Sequence, residues 1–483
     1  MFPLKPLLSV SLIFLFLQVN AQTKALYNYQ DLSHLFYQKQ KDSLQKAWVC
    51  PVIYKEKETQ KKYKEFWDQR TDFVTGAIAA DDYIHDQEVY NYIDGIISQL
   101  MQANKQLMPA KPFLLIDRSS SVNAYAMGNN VIVVNLGLIV FSQSREELSL
   151  AIAHELSHNI LEHAENAMKQ KAEWLSSEEY KKTLNAVLDS KYERLSRLKK
   201  VLENYSFNRS KHQRYHESDA DSMAIILLKK SNIPFNADFF IRLDSADDMY
   251  HQPLKNPIKS YFASYNLPFE DTWTQKRSKG LSTRAYNFRD TSHIEDSLKT
   301  HPDCIERYNK TKSQSVSNAS YTAIPANVQE RANKMLIWNM YSNMSLTPCL
   351  YRILLEKDKG NTDEWYDFMI HNIITGLYYA DRELNRFNAV GVVQKEYISK
   401  NYYELQNMLE QIPREQLEQY CKVFQNAGFW KSMPSGEKAL KSFMYTLALD
   451  PDNSDKNKSQ AAKTFTADNS TSMYCEFARI FVK

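Results

Sequence analysis

Ser144-Arg145-Glu146-Glu147-Leu148-Ser149-Leu150-Ala151-Ile152-Ala153-His154-Glu155-Leu156-Ser157-His158-Asn159-Ile160 is the stretch from which the rest of the chain can be placed. Ser144 followed three residues later by Glu147 is a capping-box pattern, so a helix opens here. Leu148, Ile152, Leu156 and Ile160 recur at helical period and predict an apolar stripe. On such a helix His154 and His158 are four apart, point the same way and can share one metal ion. Glu155 lies roughly 100° further round, where its carboxylate can take a proton from a water beside that ion. Zinc accepts two neutral imidazoles and a carboxylate and leaves a position for water.

The third ligand sets the subtype. A metzincin requires Gly at 161 and His at 164, but Leu161 and Ala164 stand there. His163 is one residue out of register and reads as decoration of the helix's polar side. A thermolysin-like pattern is missing, and Ser177-Glu178-Glu179 reads as a solvated face or a helix cap. Further on, His216-Glu217-Ser218-Asp219-Ala220-Asp221 opens an apolar helix. Glu217 and Asp221 face the same way, whereas Asp219 points elsewhere. Glu217 can ligate the ion while Asp221 holds a ligand imidazole in its tautomer, and the small Ala220 lets two helices approach. His212 and His216 form a rival pair, read as surface residues because one zinc has no need of four imidazoles.

Around this centre the chain is long enough, at 483 residues, for two or three domains. A hydrophobic content of 43 % excludes a disordered chain. With 60 basic and 57 acidic residues, nothing electrostatic points to nucleic acid or an anionic membrane. Proline is absent from Phe113 through Ile233 and glycine between Gly137 and Gly280, so this region is expected to be mostly helix. Lys5, the apolar run Leu7 to Val19 and the small-residue end Val19-Asn20-Ala21 predict a signal peptide over 1–21. The mature chain is then expected to begin at Gln22, to be exported and soluble in a periplasm or outside the cell, and to have no transmembrane segment. Cys50, Cys304, Cys349, Cys421 and Cys475 are scattered and form no zinc knuckle. Disulfides are permitted, but no pairing can be deduced.

A helical segment over 22–72 precedes a helix from Phe73 to Met101. Pro112 to Ile116 and Asn130 to Asn135 predict strands, Glu173 to Tyr205 a long charged helix, and Gln213 to Lys230 another. The Ser-, Asn- and Lys-rich stretch 309–327 predicts a linker. Beyond it, over 328–483, patterns such as Glu364 to Leu384 and Gly436 to Leu449 predict an all-α domain of hairpins, of a tetratricopeptide-like kind, that binds a protein partner.

His154-Glu155-Leu156-Ser157-His158 followed by Glu217-Ser218-Asp219-Ala220-Asp221 resembles the HtpX and CaaX-prenyl-protease-like group, metallopeptidase family forty-eight. Asn123 to Met127, Val131 to Leu138, and Ser297-Leu298-Lys299-Thr300-His301-Pro302 with Arg307 are similar to that family's other segments. The resemblance covers roughly Phe73 to Tyr308. It implies an α+β, mostly helical, gluzincin-like zincin domain over 73–308 that cleaves polypeptides. It further implies one Zn2+ held by His154, His158 and Glu217, with Glu155 as general base and Asp221 behind the ligands. The strand at Asn123 to Met127 would pair with an extended substrate. Asp303 stands where the family often has a second proline, and the absence of spanning helices argues against prenylated substrates. His301 has three readings: a loop histidine, a donor to the oxyanion, or a fourth ligand that keeps the site latent. The expected function is endopeptidase action on exported or envelope proteins in quality control. A chaperone-like or scaffold protein with a latent zinc site is the alternative.

Overall fold

The computed structural model describes residues 35–79, 82–190, 192–196, 216–246, 250–263, 265–275, 304–452, 454–470, 472, 474–479 and 481–482. The expected signal peptide, His212 and His301 lie outside these residues. The described part groups into two compact units, one from residues within 33–249 and 304–336, the other from residues within 250–275 and 337–482.

In the first unit the main helices are α1 (Leu35–Ala47), α2 (Lys57–Ala79), α3 (Gln87–Ala103), α4 (Leu136–Phe141), α5 (Arg145–Ile160), α6 (His163–Ser176), α7 (Glu178–Asp189), α8 (216–230), α9 (Asp238–Asp244) and α10 (Cys304–Thr311). The strands are β1 (Phe113–Asp117), β2 (Ala124–Gly128) and β3 (Val131–Asn135), in the order β1-β3-β2. β1 runs parallel to β3, with Leu115 opposite Val133, and β2 runs antiparallel to it, with Tyr125 opposite Val133. All five residues of β3 are buried, because both faces of the sheet are covered and the usual alternation is lost. Leu115, Val131 and Val133 pack with Tyr37 of α1 and with Val74 and Ile78 of α2, while α5 packs against β2 and β3.

Two expected helices are broken. Phe73 to Met101 is interrupted because Tyr83 bridges to Asp117 and the Ile84 amide donates to the Ile116 carbonyl, which draws the chain onto β1. Asp86 then starts α3 by accepting from the amides of Glu88 and Val89. Glu173 to Tyr205 divides at Ser177, whose hydroxyl caps α7 through the Tyr180 amide, so the cap reading of Ser177 holds. The β2–β3 turn places Asn129 and Asn130 at positive φ (50° and 59°), as a type I′ hairpin turn requires. Gly137, at the start of α4, has no room for a side chain: a Cβ there would stand 2.1 Å from the Ser120 carbonyl oxygen.

The stretch expected as a linker, 309–327, lies within this unit. The Val316 amide donates to the Phe235 carbonyl and the Arg145 amide to the Thr322 carbonyl, while Ser144 bridges to Ala323. Residues 322 and 323 thus meet the first turn of α5.

The second unit is all helical among the described residues, consistent with an α+β, mostly helical chain whose sheet lies upstream. Its central helix, Glu364–Arg382, is buried on nearly every side from Trp365 to Ala380. Leu346–Asp358, Lys400–Gln411, Arg414–Gln425, Ser435–Leu449, Asp455–Asp468 and Cys475–Arg479 are its other main helices. No described helix is long and apolar enough to cross a membrane.

His371 on the central helix is 1 % exposed, stacked on Phe424 at 3.8 Å between ring centroids and edged by Phe429. Neither ring nitrogen has a hydrogen-bond partner among the described residues. Burial first, then the charges of Lys441 and Lys357, push its pKa down to about 3 from an ordinary 6.5. The neutral ring is therefore fully compatible with the fold above pH 6.5. Below that its protonation favours the unfolded chain, by about 1.4 kcal/mol for each pH unit on the way to the folded value. Denaturant unfolding at pH 7 and 5 should accordingly show a smaller acid loss in His371→Leu than in the wild type. Equal losses in both would refute this account of His371.

Candidate metal centre

α5 opens as the sequence predicts. The Ser144 hydroxyl accepts from the Glu147 amide at 3.2 Å, while the Glu147 carboxylate reaches back to the Gln143 amide at 2.6 Å, one residue before the cap. The helix is not the amphipathic one expected. From Leu148 to Ser157 all but Ala151 are buried, because neighbours cover it all round. Its buried serines satisfy themselves: Ser149 donates to the Arg145 carbonyl and Ser157 to that of Ala153, each at 2.7 Å. These bonds let a helix of mixed composition lie in the core.

His154 and His158 point the same way, with their Nε2 atoms 3.1 Å apart. Glu217, on α8, brings Oε2 to 3.2 Å from His154 Nε2 and Oε1 to 3.5 Å from His158 Nε2. Among the described residues these three form the one group able to hold a metal, with ligand atoms all within 4.8 Å of one another. Ala220 is fully buried, as a close approach of α8 demands. Glu155 is 5 % exposed and stands outside the ligand group. Asp219 is exposed.

Behind this group, Asp221 Oδ1 lies 2.8 Å from His154 Nδ1. A carboxylate there keeps the proton on Nδ1 and turns the Nε2 lone pair toward the cluster. Asp221 is itself gripped by Arg307 of α10, which donates from Nε at 2.9 Å and from Nη2 at 2.6 Å. The guanidinium also lies over the Phe240 ring, 4.3 Å from its centroid. Nothing in the sequence around Arg307 assigns it this task; its one signal is a place in the family-like stretch after His301.

The ionisation of this network follows from its contacts. Burial drives Asp221 upward, but the hydrogen bond with His154 and the Arg307 charge outweigh it and hold the carboxyl at about 2. Burial and Arg307 likewise depress His154, but Asp221 and Glu217 prevail and raise it to about 9.

His163 is placed differently from the expectation. α5 ends at Ile160, Glu162 adopts the left-handed conformation (φ 52°, ψ 36°) and His163 begins α6. The turn folds the ring back so that its Nδ1 is 2.8 Å from His158 Nδ1. His216 lies flat against it, with ring centroids 4.2 Å apart and planes 8° from parallel. The rival ligand His216 therefore stacks outside the cluster. Burial first, then His216, lowers His163 to about 4, which keeps it neutral.

Two imidazoles and a carboxylate converging from helices α5 and α8, with a buried acid behind one imidazole, make a metalloprotease donor set. Residues 88–315 match Peptidase family M48. This region is an M48 peptidase domain. It contains all three ligand candidates, Glu155, Asp221 and Arg307. A beta-barrel assembly-enhancing protease of Vibrio cholerae serotype O1 is 26 % identical over 201 residues, 41 % of this chain and 40 % of that protein. The matched part thus spans about two fifths of the relative's length. M48 peptidases are metalloproteases, so the chemistry of the family and the converging donors agree.

Proposed function

We propose that the chain is a zinc-dependent endopeptidase. The observation that carries this reading is the spacing of the donor atoms: 3.1, 3.2 and 3.5 Å. Two ligands about 2.1 Å from a tetrahedral zinc stand roughly 3.4 Å apart. His154, His158 and Glu217 would hold the ion. When bound, zinc supplies Lewis acidity toward the scissile carbonyl and makes a water acidic at neutral pH.

The chain's own residues do the rest. Glu155, next to a ligand but not one, takes the proton of the attacking water and passes it to the leaving amine. Asp221 and Arg307 keep His154 oriented as the charge shifts. β2 has a neighbour on one side only, among the described residues, so its open edge can align an extended polypeptide. The named relative and the signal-like start support action on exported or envelope proteins, in quality control and in a periplasm or outside the cell. The helical unit would bind a protein partner.

The test is metal content measured together with cleavage of casein by the full chain. One zinc per chain is expected, with hydrolysis abolished by a chelator and restored by zinc alone. Bound zinc without cleavage would favour the latent-site scaffold instead, and the absence of bound zinc would overturn the reading.

A further inference from the structure

The two ligand histidines are supported by different chemistry. His154 has the carboxylate of Asp221 at its Nδ1. His158 has another imidazole, since its Nδ1 lies 2.8 Å from Nδ1 of His163. Two ring nitrogens at that distance share one proton, donated by one and accepted by the other. The other nitrogen of His158 faces His154 and Glu217. If that Nε2 gives its lone pair to an ion, the ring's single proton is on Nδ1 and must be donated outward. His163 must then accept at Nδ1 and carry its own proton at Nε2.

We infer that His163 is a positioning residue of the metal centre, accepting the Nδ1 proton of His158 and thereby fixing that ligand's tautomer and ring orientation. The inference rests on the metal-centre reading above. Local structure holds His163 to this task from two sides. The left-handed Glu162 sets the turn that aims the ring, and His216, next to the ligand Glu217, stacks on its face. The stack also connects the start of α6 with the start of α8, so the support of one ligand touches the helix that supplies another. A neutral acceptor in place of the usual carboxylate adds no negative charge beside a cluster that already has Glu217 and Asp221.

The experiment measures zinc affinity of the full-length chain by competition with a chromophoric chelator, and dissociation by chelator capture. His163→Leu, which removes the acceptor, is expected to weaken zinc binding about 10- to 100-fold, the usual cost of losing such a partner. His163→Asn is close to leucine in shape but offers a carbonyl oxygen, and should recover most of that loss. Unfolding midpoints of the metal-free proteins would be measured alongside. A merely structural role would lower Leu and Asn alike and leave the Leu/Asn affinity ratio near one. Equal zinc affinity in Leu and Asn variants overturns the inference, as does wild-type affinity in both. His158→Ala separates the two levels of argument. If it binds zinc as tightly as the wild type, the metal-centre reading itself has failed. If it loses zinc while His163→Leu does not, only the inference about His163 has failed.

Discussion

Glu155→Gln is expected to lower kcat for casein or a peptide about 10³-fold while the chain keeps one zinc. General-base catalysis is worth roughly 10² to 10⁴ in rate, and glutamine removes it without changing shape. The side chain is 5 % exposed, so an isosteric replacement avoids a cavity. Because Glu155 is outside the ligand group, the metal should be retained at wild-type stoichiometry. KM should change little, since the carboxylate acts in the transition state more than in substrate binding. Near-normal turnover in this variant would remove Glu155 as the base and require another proton acceptor.

Helix α5 was legible because its signals are local: a cap at Ser144, an apolar period, and two histidines four apart. Glu217 and Asp221 were legible for the same reason, since their spacing on a single helix fixes their common direction. Strands β1 and β3 followed from short runs of branched or aromatic residues, Phe113 to Ile116 and Val131 to Val134. What stayed hidden depends on partners far along the chain. Nothing local says that Ile84 will donate to Ile116 and so end a helix that residues 73–101 could otherwise form. Nothing near Arg307 announces Asp221, 86 residues away. The helical period places His163 on the polar side of α5. Only the left-handed turn at Glu162, a conformation that costs a non-glycine residue about 1 kcal/mol, returns it to His158. Segment 250–275 groups with 337–482 through contacts such as Gln411 with the Trp273 carbonyl. No composition shift marks that pairing.

Replacing Glu217 by alanine should have the opposite signature to Glu155→Gln, losing metal and activity together. Glu217 is the one proposed ligand from α8 and the one carboxylate among the three. Its removal leaves two neutral imidazoles on a single helix, with no charge to offset that of the ion. Structural zinc sites with four ligands bind with about 10–16 kcal/mol. One ligand's share is therefore about 3 kcal/mol, and an affinity loss on the order of 100-fold or more is expected. Glu217→Asp should fall between the two, because the charge remains while the shorter side chain withdraws the oxygens from positions 3.2 and 3.5 Å from the imidazoles. Metal content after dialysis against a weak chelator distinguishes the three proteins. Full occupancy in Glu217→Ala would transfer the third-ligand role to His212, His216 or Asp219. Of these, His216 would have to leave its stack on His163 and Asp219 would have to turn in from solvent. Such a site would need α8 to rotate, and that rotation would break the contact of Asp221 with His154 at the same time.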